Sequence, residues 1–296
     1  MSNHTAPTVD TALSTMLTLE TTQSTGHDDA AFSAQTLARE TPRVYGGQVL
    51  AQSLMAASAT VEEDRPVHSL HAYFLQAGSI DKPLSYGVQK LGDTRSFSTR
   101  RVHAYQEDTP IFSTIMSFQE PARGLEHAVT MPKDVPNPES LPTAAQILAG
   151  IEHPMVQAVA HERPFDLRHV STPLYLGSET SPSTTNMVWI KAIAPLGSRQ
   201  VAHRAALAYA SDYTIMEPIM RAHGKFWLQP GMKVASLDHS IWFHDDVAAD
   251  DWLLFAYESP AARGGRGLTT GSVFTRDGRH VATIAQEALL RLPEFK

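Results

Sequence analysis

The sequence predicts an α+β fold in which one unit, a long helix laid on an antiparallel sheet, is built twice. Three observations carry that prediction. A helical stretch at 43–61 is followed by strand-like runs, and after a proline-rich interval the same order of elements begins again near Phe165. Two short segments also recur in the same order: HAYF at 71–74 with HSIWF at 239–243, and DTPIFSTI at 108–115 with DGRHVATI at 277–284. Either match alone is no better than chance, but in a common order they indicate an internal duplication.

The elements follow in turn. Residues 1–12 are polar and threonine-rich, the composition of a disordered tail. From 13 to 37, Leu17, Leu19 and Phe32 suggest two short strands around a turn at 26–29. In RVYGGQVLAQSLMAASATV (43–61), Val49, Leu50, Ser53, Leu54 and Ala57 fall at helical spacing, with Gly46 and Gly47 at the start and Pro66 beyond the end. Strands are expected at 68–75, 84–91, 96–105 and 110–119, completing an N-terminal unit over 13–119. Seven prolines punctuate 120–164, with one short helical run at 144–151, so this stretch reads as a linker. The second unit, 165–296, has strands at 165–170 and 186–194, then a helix over 201–223 kinked at Pro218. Strands at 233–244, 252–259, 267–275 and 280–292 complete it.

Composition narrows the function. A chain of 296 residues, 42% hydrophobic, buries a large core. Its formal charge of −7 and pI near 6.0 argue against a nucleic-acid or anionic-membrane partner. The absence of cysteine removes disulfides, thiol nucleophiles and cysteine-based zinc sites, and fits a reducing compartment. No run approaches the roughly 18 apolar residues of a membrane helix. Neither MSNHTAPTVDT nor the terminal LPEFK carries a targeting signal, so a cytoplasmic location is expected.

One carboxylate stands out. On the expected 201–223 helix, Asp212 shares a face with Ala208, Tyr209, Ile215 and Met216. An ionised acid in apolar surroundings is costly unless polar partners receive it. Nucleophilic catalysis is unsupported, since there is no GxSxG elbow and no serine in a Ser-His-Asp context. A metal site is not indicated: His68 and His71, and likewise His239 and His244, are spaced to fall on opposite faces of a strand. Gly46–Gly47 matches neither a dinucleotide fingerprint nor a phosphate loop.

VYGGQVLAQS, VHSLHAYFLQAG, SFSTRRVHAYQ, YASD, ASLDHSIWFH and IAQEALLR, as an ordered set, resemble the type II acyl-CoA thioesterases. The resemblance runs from about Leu17 to Leu292. It implies a double hotdog fold and hydrolysis of fatty acyl-CoA thioesters with no metal, cofactor or covalent intermediate, the acyl-CoA substrate being the only implied partner. It also implies a catalytic trio: Asp212 in YASD, Ser236 two residues before DHS, and Gln286 in the last strand. The chemistry is coherent, because a carboxylate framed by a hydroxyl and a carboxamide can hold and deprotonate a water without a cation weakening its basicity.

Each assignment has a plainer alternative. Asp212 could be a structural acid. Gln286, inward with Ile284, Ala288 and Leu290, could make a core hydrogen bond. Strict alternation places Ser236 with Val234 and Trp242, away from Leu237, Ile241 and Phe243, unless a bulge intervenes. Gly46 and Gly47 are candidate donors to the thioester oxygen, or points of close packing. His71 is a rival base, or a packed core histidine. Arg100, Arg101, Arg263 and Arg266 are candidate contacts for coenzyme A phosphates, or solvated arginines. Gln76 in FLQAG stands where the family carries the arginine of FLRPG. A hotdog enoyl-CoA hydratase and a non-catalytic acyl-CoA or polyketide-binding module are the alternative functions. Trp242 and Trp252 on outward sheet faces suggest a homo-oligomer.

Overall fold

Hydrophobic alternation with period two forms thirteen strands, and the stretches at helical period cross one face of the resulting sheet. The computed structural model describes residues 9–24, 26–37, 41–175, 177, 178 and 181–295. The N-terminal half contains α1 (Val9–Leu17), β1 (Leu19–Thr22), β2 (Ala30–Ala34), α2 (Gly46–Ser58), β3 (Val67–Phe74), β4 (Leu84–Asp93), β5 (Phe97–Gln106) and β6 (Thr109–Gln119). Two short helices follow, α3 (Ala144–Ile147) and α4 (Pro154–His161). The C-terminal half contains β7 (Phe165–His169), β8 (Thr185–Ala192), α5 (Gln200–Ser211), α6 (Glu217–Ala222), β9 (Lys233–Ser236), β10 (Asp238–Phe243), β11 (Leu253–Arg263), β12 (Arg266–Thr275) and β13 (His280–Arg291).

These strands form one thirteen-stranded sheet with antiparallel neighbours, ordered β1-β2-β4-β5-β6-β3-β10-β13-β12-β11-β8-β7, with β9 paired to β13. The path repeats. In each half the long helix follows the second strand (β2 or β8), and a strand after that helix (β3 or β10) lies innermost. β3 and β10 pair with each other at the centre, with Ser240 opposite His71. Both echoed segments fall on equivalent strands, β3 with β10 and β6 with β13. The α+β double hotdog expected from the sequence is the fold observed.

The main core lies between the sheet and the helix pair α2–α5, with Leu50, Leu54, Ala206, Leu207, Ile241 and Ile284 fully buried. The helices meet closely at their ends, where the Tyr45 hydroxyl donates to the Tyr209 carbonyl at 3.1 Å. Gly47 is the residue that permits this approach. A Cβ there would lie 2.3 Å from the Tyr209 carbonyl oxygen and 2.6 Å from the Tyr45 ring.

Several expectations are corrected. Of the expected tail, residues 1–8 lie outside the described residues, but Val9–Leu17 is a helix. Leu13, Met16 and Leu17 are spaced i, i+3, i+4 and buried, and Gln52 from α2 donates to the Met16 carbonyl at 2.9 Å. The helix expected over 201–223 is two helices, α5 and α6, separated at 212–216. In a continuous helix the Pro218 ring would clash with the carbonyl four residues earlier, whereas here it sits in the first turn of α6, where no N–H is needed.

The proline-rich stretch is also more than a linker. Its first part covers the outer face of β8, β11 and β12, where Met131, Val135 and Leu141 pack on a cluster of Trp189, Trp252, Leu254 and Phe274. Trp252 is therefore 3% exposed, donating to Glu139 at 3.2 Å, and offers nothing to a second copy. Trp242 does remain on the outer face, 37% exposed.

Gly47→Ala should destabilise the fold by about 2 kcal/mol or more, because the clash is with backbone. A thermal melt should show Tm lower by about 5 °C or more. An unchanged melt would mean that the α2–α5 contact yields freely.

Candidate active site

Asp212 is the C-cap of α5, with φ −86° and ψ −1°, so the helix ends just before it and its side chain turns towards α2. A carboxylate at a helix C-terminus faces the negative end of the dipole, an unfavourable position. Here the N-terminus of α2 compensates, since the Gly47 N–H donates to Asp212 Oδ2 at 3.0 Å. Gly46 brings the backbone as close: a Cβ on it would stand 2.8 Å from the same oxygen.

The other carboxylate oxygen is reached from the sheet. Ser236 Oγ donates to Asp212 Oδ1 at 3.2 Å. Simple alternation put Ser236 on the wrong side, and the register shows why. Ser236 lies opposite Ala288 while Ser240 lies opposite Ala285, four residues against three, so a bulge at Leu237 shifts the pleat by one residue. Gln286, inward on β13 and 1% exposed, donates from Nε2 to Ser236 Oγ at 3.1 Å. Its Oε1 is met by His239 Nδ1, and His239 Nε2 lies 2.9 Å from Ser211 Oγ.

Asp212, Ser236 and Gly46 border a cavity of about 540 Å³. Its walls are mainly apolar: Phe74 and Phe112 from the N-terminal half, Met216 and Trp227 from the C-terminal half, and Leu148 and Val156 from α4 and the turn before it. A separate buried cluster of Leu148, Val156 and Tyr175 backs this outer wall. Arg43, Arg163 and Gln76 also line the cavity, so an arginine at position 76, which the resemblance implies, would border it.

The other expected site residues fall elsewhere. The Gly47 N–H is committed to Asp212, which takes it from the expected role of oxyanion donor. His71 is neither a core histidine nor a base at this site: it points out of the sheet, bonded to Ser240 Oγ at 3.1 Å and edge-on to Trp242. Arg100 is buried and holds Asp93 at 2.9 Å and Thr60 Oγ1 at 2.9 Å, a structural assignment that leaves no reach to a phosphate. Arg101 is bonded to Gln89, and neither it nor Arg263 borders the cavity. Arg266, paired with Glu287 at 3.0 Å, lines a second, neighbouring cavity with Lys233 and Arg291. Both cavities share Leu237.

Two features escaped sequence reasoning. The spacing of His239 and His244 excludes a shared metal but gives His239 no other role, although His239 alternates inward with Ile241 and Phe243. The wall contributed by Leu148, Val156 and Tyr175 has no local signal, because it depends on how the connector folds back. Among the described residues, no three His, Asp or Glu side chains gather to hold a metal ion. No helix among them is long and apolar enough to cross a membrane.

With fold and site in view, comparison with known proteins is direct. The chain matches the acyl-CoA thioesterase family over residues 157–289 and the acyl-CoA thioesterase N-terminal domain over residues 36–119. Acyl-CoA thioesterase 2 of Haemophilus influenzae is 38% identical over 273 residues, spanning 90% of this chain and 94% of that one. Acyl-coenzyme A thioesterase 8 of Homo sapiens is 35% identical over 262 residues, spanning 84% and 81%. The crystal structure of an acyl-CoA thioesterase II from Mycobacterium marinum superposes with a TM-score of 0.75 at 34% identity, covering 96% of this chain and 99% of that one. Fold and relatives together define a hotdog thioester hydrolase. More narrowly, the chain belongs to the acyl-CoA thioesterase family.

Burial pushes the His239 imidazole down to about 4, against the opposing bond to the Gln286 carbonyl, and pushes His169 down to about 3. Below the ordinary value of 6.5, the unfolded chain takes up protons that these rings refuse in the folded state. Stability is therefore intact above pH 6.5 and is lost as pH falls from 6.5 towards 4, with His239 accounting for about 3 kcal/mol. Melts at pH 7 and 4.5 should show a smaller drop in Tm for His239→Asn than for the parent. An equal drop would contradict this.

Proposed function

We propose that this protein hydrolyses acyl-CoA thioesters by direct attack of a water that Asp212 holds and deprotonates. The observation that carries this reading is the placement of Asp212, framed by Ser236 and Gln286, on the wall of a mainly apolar cavity. The bonds from Gly47 and Ser236 fix the orientation of the carboxylate at the cavity wall. The acyl chain occupies the apolar cavity, with the thioester carbon beside the carboxylate. As water attacks, Asp212 takes its proton and the carbonyl oxygen becomes negative, close to the positive end of α2 at Gly46. The carbon–sulfur bond then breaks, and the thiolate of coenzyme A recovers the proton from Asp212. The products are the carboxylic acid and the free thiol. Lys233, Arg266 and Arg291 around the adjoining cavity supply the positive charge that the phosphates of coenzyme A require.

The trio should act as a unit. Asp212→Asn should lower kcat by about 10³-fold or more with KM changed by less than about threefold, the signature of an interaction made in the transition state. The measurement is thiol release across a panel of acyl-CoAs, alongside enoyl-CoA hydration by absorbance. Normal turnover in the variant would remove Asp212 from the reaction. Hydration in place of thiol release would favour a hydratase, and binding with neither would favour an acyl-CoA carrier.

The same panel tests the wall. Leu148→Trp should lower kcat/KM at least about tenfold for long acyl chains while leaving short ones near the parent, because each methylene lost from the cavity forfeits about 0.8 kcal/mol of burial. A uniform change across chain lengths would place the acyl group elsewhere.

A further inference from the structure

We propose that His239 is a positioning residue, holding the Gln286 amide in the one orientation that lets Ser236 give its proton to Asp212. This deepens the proposed function and rests on it. A glutamine amide has ends of nearly equal shape and opposite hydrogen-bonding character. Turned one way, Gln286 offers N–H to Ser236, whose own proton is then free to point at Asp212. Turned the other way, its carbonyl draws the Ser236 proton to itself, and the carboxylate loses its hydroxyl donor.

Nothing in the trio itself chooses between these orientations. His239 does. It is fully buried on the inner face of β10, directly beside β13, and its Nδ1 meets Gln286 Oε1. A carbonyl oxygen can only accept, so this contact requires Nδ1–H. Burial keeps the ring neutral, with a single N–H. Nε2 then accepts, and Ser211 Oγ, 2.9 Å away, is placed to donate to it. The bonds thereby run in one direction: Ser211 to His239, His239 to Gln286, Gln286 to Ser236, and Ser236 to Asp212. The series begins and ends on adjacent residues at the close of α5. Ser211 Oγ also lies 2.9 Å from the Ala208 carbonyl, where its proton would go if the ring carried Nε2–H instead. With the Gln286 amide placed to donate to Ser236, that tautomer would set two lone pairs against each other across the Nδ1–Oε1 contact.

The experiment compares three substitutions at one position. Asparagine places its amide N–H where Nδ1–H stands; glutamine places it near Nε2, facing Ser211; leucine fills the space with no donor. With full-length protein and thiol release from one acyl-CoA, His239→Asn should keep kcat within about fivefold of the parent. His239→Gln and His239→Leu should each lose about 10²-fold in kcat with KM within about threefold. If leucine prevents folding, the asparagine–glutamine pair decides alone.

In a Gln286→Ala background, His239→Leu should cost nothing further in kcat. Three variants equal to the parent, three falling together, or losses that multiply undiminished in the double mutant would each overturn the proposal. Asp212→Asn serves as the control. If it too retains activity, the underlying mechanism has failed; if it is inactive while the His239 series is flat, only the positioning role has failed.

Discussion

The structure depends on one contact, the meeting of the α2 N-terminus with the carboxylate that ends α5. An acid at a helix C-terminus is held against the field of its own helix, by about 0.3–1 kcal/mol in exposed cases and more when partly buried. The N–H of Gly47 and the positive end of α2 reverse that field. For this to happen, helices from opposite halves must approach within backbone contact, which the pair Gly46–Gly47 allows and larger residues would not. The central pairing of β3 with β10 sets the two halves in the register that makes the approach possible.

Around that contact the polar groups form a connected set. Buried polar side chains are tolerable when each finds a partner and costly when one is orphaned. Here the partners come from separate pieces of chain: a helix end, a bulge between β9 and β10, the inner face of β13, and the inner face of β10. Each position is fixed by a larger element, so the groups are held by the packing of the sheet and not by loops of their own. That rigidity suits the proposed reaction, in which a base meets a bound water without reorganisation.

Much of this was legible from the sequence because periodicity survives in strands. The duplicated path, the long sheet and the inward orientation of Gln286 all follow from alternation. Ser236 was misplaced by the same rule, since one extra residue at Leu237 reverses the parity, and a bulge leaves no mark in composition. A helix kinked at Pro218 would hold Asp212 in its middle, whereas Pro218 opens a new helix and leaves the acid as a cap. Arg100 looked like a phosphate ligand by residue type alone; its partner Asp93 sits across a strand turn that local reading does not bring together. His71, by sequence a rival base or a core histidine, lies on the outer face because it alternates with the buried Leu70 and Ala72. The helical run at 144–151 is legible and contains Leu148, but that it folds back to wall the cavity with Val156 and Tyr175 is not, since this depends on tertiary packing.

That segment has a further consequence. Two separate identical units joined about a two-fold axis must present the same exterior, since whatever shields one shields the other. A single chain that repeats its fold is released from this constraint. The stretch from Met131 to Leu141 lies over Trp189 and Trp252 on the C-terminal half alone. Near-symmetry within therefore coexists with dissimilar outsides, and each outer surface of the molecule is free to drift towards its own neighbours without disturbing the shared interior.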